Sequence, residues 1–332
     1  MNSQTEPHVI SFPQKDNDPV EQKIPHDPLA PTIFHEAWWL DIATGGNYKY
    51  VEVQDKGEVV GRLPYFPKKR FGLRYNIMPE LTHFVGPGVI EGDGSDTTRF
   101  LRKSTIIREL LKQLPDYSIH KYKCHRDITD AIAFQQSKFM VNVQFTHEIA
   151  PATEEVLWKN LRVEKRKKIK QAQKLHTISH MTDPDEFWHF YEENLGKRGM
   201  KSVYKYGSCR EIIKQTLERD RGRIYTARDA NNNLTTAIFC IWDATTSYYF
   251  MCARTPEAHN GAMSLLVWEA MKDISARGLI FDFDGINSSS SVLFFTEFGG
   301  TISPRYIVTR STLAGGIALA TKEYFRENRY FF

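Results

Sequence analysis

Residues 254–310, RTPEAHNGAMSLLVWEAMKDISARGLIFDFDGINSSSSVLFFTEFGGTISPRYIVTR, leave the chain the fewest structural choices. Leu265, Leu266, Trp268, Met271, Ile274 and Ser275 recur at the spacing of one helical face. That spacing predicts a helix over 262–277, entered through His259, Asn260 and Gly261 and stopped by Gly278. The text that follows, Ile-Phe-Asp-Phe-Asp, alternates. Successive side chains of a strand point to opposite faces, so Phe281 and Phe283 share one face and Asp282 and Asp284 the other. A strand of this kind packs its phenylalanines on a core and leaves two carboxylates together at its end.

The 332 residues exceed what one core ordinarily holds and suit two domains. With 41% hydrophobic and 13% aromatic residues there are side chains enough for both, which excludes wholesale disorder. A net charge of +4 is too small to argue for nucleic-acid binding by itself, so any such role rests on local clusters. Cys124, Cys209, Cys240 and Cys252 form no CxxC pair and no histidine spacing suits zinc, so they read as reduced core residues and no metal site is expected. The N-terminal text has no apolar run behind basic residues, and no stretch reaches the roughly twenty apolar residues of a membrane span, so a cytoplasmic protein is expected.

Along the chain, residues 1–30 read as a polar, proline-punctuated tail, 31–150 as a first domain, 151–310 as a second, and 311–332 as a segment packing back on the first. The first domain opens with a short helix ended by Gly45 and Gly46, then a hairpin turning at Asp55-Lys56-Gly57. A third strand is expected in LTHFVGPGVI, then a capped helix around Leu110, then strands near 120 and 140–149. The second domain opens with one basic helix from Thr153 through Leu175, two further helices, and a three-stranded meander turning at Asn231–Asn233. Both halves repeat one order of helices, antiparallel strands, helix and strand, which implies an α/β (α+β) fold of two tandem units with mixed, largely antiparallel sheets.

Several residues are candidates for chemistry. Asp284 and Asp282 could act as general base toward an amine, or could bind backbone amides at the strand end. Asn260, Gly261 and Ala262 open the longest helix of the second half, where unpaired N–H groups and the helix dipole favour an anion; an ordinary cap is the alternative. Arg162, Arg166 and Lys170 fall on one helical face, suited to phosphates or simply solvated. Arg198 and Tyr204 belong to a basic and aromatic loop that could line a pocket. Among the histidines, including His83, only His259, next to the helix start, stands out as a possible proton shuttle.

The motifs FHEAWWLDIA, LRVEKRKKIKQAQK, RTPEAHNGAMSLLVWEAM, FDFDG and FFTEFGG, in this order, resemble GNAT-fold acyltransferases of the FemAB, methicillin-resistance-factor and BioF-like acetyltransferase type. The resemblance implies two tandem GNAT-like domains and transfer of an acyl or aminoacyl group to an amine, with acyl-CoA or aminoacyl-tRNA as donor and no tightly bound cofactor. It implies a small-molecule or glycan-linked acceptor, possibly in cell-wall or polysaccharide metabolism, with the region of Lys69 helping to hold it. It also places the donor at Asn260 and Gly261. Where CoA-using relatives carry an Arg or Gln and a glycine-rich turn, this chain has Asn260-Gly261-Ala262, and the lysine position of tRNA-dependent relatives is Phe295. A rival reading is a non-catalytic module binding an anionic glycan precursor or RNA.

Overall fold

Local turn chemistry sets the first elements. Gly45 turns left-handed at φ 64° and ends α1 (Ala37–Thr44). Lys56 and Gly57 both take positive φ, which matches the twist of a two-residue hairpin and joins β1 (Lys49–Asp55) to β2 (Glu58–Tyr65). The structure, a computed structural model, describes residues 24–70, 72–286 and 288–327. Most of the expected polar tail lies outside them.

The first half continues with β3 (Pro67–Arg70), β4 (Leu73–Ile77), β5 (Gly88–Val89), α2 (Asp96–Gln113), β6 (Ile119–Lys123), α3 (Ile132–Gln136) and β7 (Met140–Ile149). The second comprises α4 (Glu154–Asn160), α5 (Val163–Gln173), β8 (Thr177–Met181), α6 (Pro184–Gly196), α7 (Tyr206–Glu218), β9 (Gly222–Arg228), β10 (Leu234–Trp242) and β11 (Thr246–Arg254). It closes with α8 (Ala262–Ala276), β12 (Ile280–Asp282), α9 (Ser289–Thr296), β13 (Thr301–Ser311) and α10 (Leu313–Glu327).

Ten strands form one sheet in the order β3-β4-β6-β13-β7-β12-β11-β10-β9-β8, and β1, β2 and β5 form a smaller one. Among the described residues two pairs of strands are parallel, β4 with β6 and β11 with β12. Each has a helix, α2 or α8, in its crossover, as parallel neighbours require. The other strand pairings among the described residues are antiparallel. The expected class, two tandem α/β units with mixed, largely antiparallel sheets, is therefore present. β13, read above with the second half, pairs with β6 and β7 of the first, so both halves share one sheet.

The splay between β11 and β12 positions the site. The two strands pair only over Thr246–Tyr248 and Ile280–Asp282. Beyond that point the chain follows β7 instead: Phe283 N–H donates to His147 O at 3.0 Å and Ile286 N–H to Phe145 O at 2.9 Å. A wedge opens between Tyr249 and Phe283. Phe281 and Phe283 are buried in the cluster built on α8, as their alternation predicts.

Other expectations are corrected. The single basic helix is two, because Leu161 and Arg162 are extended and Arg166 turns back to cap α4, donating to the carbonyls of Trp158, Lys159 and Leu161 at 3.2, 3.0 and 2.7 Å. LTHFVGPGVI contributes only β5; its first part is a loop fixed by Val85 N–H donating to Lys123 O at 2.8 Å. Cys252 is exposed on β11, whereas Cys124, Cys209 and Cys240 are buried. The C-terminal segment enters α10 directly after β13 and abuts Ser118 at Gly315.

Candidate active site

Two carboxylates at one strand end meet different fates. Asp282, in β12, is fully buried. Its Oδ2 accepts from the Arg305 guanidinium at 2.9 Å, and its Oδ1 from the Thr146 hydroxyl and, at 2.7 Å, from Asp284 N–H. Burial lifts its carboxyl to about 6, against the pull of Arg305 and of Thr146. Asp284 lies past the strand in left-handed backbone, φ 59°, which turns its side chain out of the alternation and into the wedge.

There Asp284 Oδ2 is bonded to His83 Nδ1, in the loop after β4 and 201 residues away in sequence. His83 Nε2 lies 3.3 Å from the Tyr204 hydroxyl. Aromatic rings fix the imidazole: Phe34 stacks on it at 5.7 Å and Phe250 packs tilted against it at 4.6 Å. A carboxylate only accepts, so Nδ1 carries the proton and Nε2 is the basic nitrogen. Burial, and then the charge of Asp284, raises the Tyr204 hydroxyl above its usual value, so Tyr204 remains a donor at neutral pH.

These three groups line a cavity of about 410 Å3 whose other walls include Lys123, Tyr249 and Phe295. Lys123 holds its ammonium 4.2 Å from the Phe84 ring. Phe295, on α9, stacks on Phe283 at 4.3 Å and closes the helix side of the wedge. Among the described residues the second oxygen of Asp284 has no hydrogen-bond partner. An imidazole base, a carboxylate that orients it and a hydroxyl on its free nitrogen, facing one space, form a proton-transfer constellation.

The other expected residues lie elsewhere. The start of α8 is covered by α5: a Cβ on Gly261 would sit 2.3 Å from Lys168 O and 3.0 Å from Ala172 Cβ. Gly261 N–H donates to His259 Nδ1 at 3.0 Å and Ala262 N–H to His259 O at 2.9 Å, while Ala262 is buried and Asn260 exposed. Two backbone donors at this helix start are thus taken up by His259, and the helix start packs against α5. His259 lines a separate cavity of about 470 Å3 with His176, Asp229 and Glu257.

Among the basic residues, Arg166 caps α4, Arg162 is 64% exposed and 3.9 Å from Glu297, and Lys170 lies 5.7 Å from the Trp158 ring. Arg198 donates to Arg254 O at 2.9 Å, and Lys69 is exposed on β3, the outermost strand. Of the expected set, Asp284 and Tyr204 share the cavity. His83 and Lys123 were missed, because a loop histidine and a strand-end lysine carry no periodic signal.

Lys165 was missed as well. It is 1% exposed, paired with Glu297 at 3.0 Å, 4.0 and 4.5 Å from the Phe294 and Phe298 rings and 3.3 Å from the Ser264 hydroxyl. Burial lowers its ammonium pKa, with Glu297 pulling it back. It locks α5 to the chain after α9 and to the first turn of α8. A larger cavity, about 860 Å3, surrounds Arg221, Trp242 and Arg277, but Arg221 is bound to Glu36 and to Trp242 O, and Arg277 to Asp220. Among the described residues no group of three or more His, Cys, Asp or Glu could hold a metal ion, and no helix is long and apolar enough to cross a membrane.

Residues 159–289 match the family model described as an acetyltransferase (GNAT) domain, a match that spans β11, the crossover helix α8 and β12. The structure is similar to that of FemX over 82% of this chain and 90% of that one, with a TM-score of 0.60 at 14% identity. The chain has a FemX-like GNAT fold. The C-terminal domain of an Agrobacterium fabrum protein described as a lysylphosphatidylglycerol synthetase matches over 85% of this chain and 89% of its own, with a TM-score of 0.57 at 11% identity. L-PGS from Bacillus licheniformis matches over 86% and 90%, with a TM-score of 0.52 at 10% identity. No curated protein matches the sequence. The GNAT resemblance read from the motifs is borne out in the fold and in the family model matched over residues 159–289.

Proposed function

We propose that the protein transfers an acyl group from an ester or thioester carrier to an amine in the cavity at Asp284. The observation that carries this is the His83–Asp284 pair, joined across both halves at the strand splay of a GNAT fold. The amine nitrogen attacks the acyl carbonyl, the C–N bond forms and the bond from carbonyl carbon to carrier breaks. His83 Nε2 takes the proton that nitrogen sheds, Asp284 holds the imidazole in the competent tautomer, and Tyr204 gives its hydroxyl proton to the leaving sulfur or oxygen and recovers one from His83 Nε2, so that both residues end as they began. Lys123 gives the cavity a cation, which favours an acceptor bearing a carboxylate or phosphate near its amine.

The exposed cations Arg162, at the entry to α5, and Lys170, on it, are where a polyanionic carrier such as a tRNA would lie. A second reading, a binding module, is favoured by Phe295: a buried ring stands at the lysine position of tRNA-dependent relatives.

The test incubates purified protein with acetyl-CoA or with aminoacyl-tRNA, each with small amines that carry or lack an anionic group. Donor-dependent product that His83→Ala abolishes supports transfer. No product with either donor, together with a melting temperature raised by an anionic acceptor alone, supports the binding module.

A further inference from the structure

We infer that Thr146, Asp282 and Arg305 are positioning residues for proton transfer: they hold Asp284 in its left-handed turn and so aim His83. The inference rests on reading the cavity as an acyl-transfer site, but the geometry stands apart from it. A non-glycine residue at φ 59° persists only where its surroundings over-determine it. Two backbone donors of this turn are claimed by one small network. Asp284 N–H goes to Asp282 Oδ1 at 2.7 Å, and Gly285 N–H goes to Thr146 Oγ1 at 3.0 Å. The Thr146 hydroxyl then donates to that same Asp282 oxygen, so it is acceptor and donor at once.

Arg305 makes the arrangement electrostatically affordable. It sits between Asp282 and Glu148, register partners on β12 and β7, and donates to both. Ser303 Oγ donates to the other Glu148 oxygen at 2.6 Å, and Arg126 approaches Glu148 at 3.3 Å. The network draws on β7, β12 and β13, while none of Thr146, Asp282 and Arg305 lines the cavity. They act through Asp284 rather than on a substrate. β13 of the second half, inserted among strands of the first, thereby brings the cation that steadies the turn.

Thr146→Val keeps the side-chain shape and removes the hydroxyl; Thr146→Ser keeps the hydroxyl. Valine is expected to lower kcat about 10²-fold, the size of a small misplacement of a catalytic group, with KM within about twofold, and serine to restore most of it. In a His83→Ala background the valine change is expected to cost little more, since both act on one proton transfer. The readout independent of turnover is the His83 imidazole in nitrogen-15 NMR. The parent and Thr146→Ser share a downfield, exchange-protected Nδ1–H signal, and Thr146→Val loses it. An unchanged Nδ1–H signal in Thr146→Val, or equal kcat losses from the valine change with and without His83, overturns the inference. If no donor is turned over by the parent, the acyl-transfer reading fails and the NMR comparison still decides the positioning role.

Discussion

The start of α8 and the turn after β12 lie at the same edge of the sheet, because the crossover helix runs back against the two parallel strands it joins, and by local rules both are binding places: a helix N-terminus for an anion, a strand end bearing carboxylates for an amine. The structure treats them differently, although Tyr249 of the cavity wall reaches Met263 in the first turn of α8 at 3.2 Å. α5 closes the helix start with the Lys168 carbonyl against Gly261 and the buried Lys165 beside Ser264. The turn stays open because β12 leaves β11 for β7, and the loop bearing His83 completes the opening from the other half. What makes a local motif functional is therefore a distant segment, which closes one end and furnishes the other.

The largest expected effect sharpens the open end. Asp284→Asn and His83→Ala each lower kcat about 10²–10⁴-fold, the usual range for a positioned acid–base group, with melting temperatures close to the parent. Steady-state kinetics and thermal denaturation check this. Next, Lys123→Met raises KM about tenfold for acceptors carrying a carboxylate or phosphate and leaves neutral amines unaffected. A comparison of the two acceptor classes reads it.

The closed end is broken by adding a methyl. Gly261→Ala forces α5 and α8 apart and costs roughly 1–3 kcal/mol of stability, as overpacking does, while turnover per folded molecule is unchanged. Full stability with lost turnover would instead make the helix start a donor site. A smaller effect concerns Asp282. Its carboxyl is raised from 3.8 to about 6, so the folded state holds a proton there that the unfolded state gives up. The stability this contributes is present below about pH 4 and lost as pH rises through about 6, on the order of 2–3 kcal/mol in all. Melting curves of the parent and Asp282→Asn across that window differ in slope by this amount.

Much of the fold was legible because it rests on periodicity. The helix over 262–276, the Phe281 and Phe283 face and the Lys56-Gly57 turn follow from spacing and backbone preference. The basic helix was misread as continuous because its break depends on Arg166 folding back onto α4 carbonyls and on Arg162 N–H reaching Glu297 O at 3.0 Å. The site was half legible. Asp284 was visible as a strand-end carboxylate, and Tyr204 as part of a mixed basic and aromatic loop. His83 was not, since its partner lies in the other half and its neighbours Thr82 and Phe84 mark only a buried loop. Asp282 and Asp284 read as sharing one face, with Asp284 the stronger candidate, and the buried Arg305 and Thr146 on Asp282 together with the left-handed turn at Asp284 set them apart.

The measurement closest to the central claim is single-turnover acyl transfer by the parent and by His83→Ala, with and without added imidazole, using the donor that the parent turns over. A fall of about 10²–10⁴-fold, partly recovered by imidazole entering the vacated space, is the result the account predicts. Transfer by His83→Ala at the parent's rate, indifferent to imidazole, would contradict it.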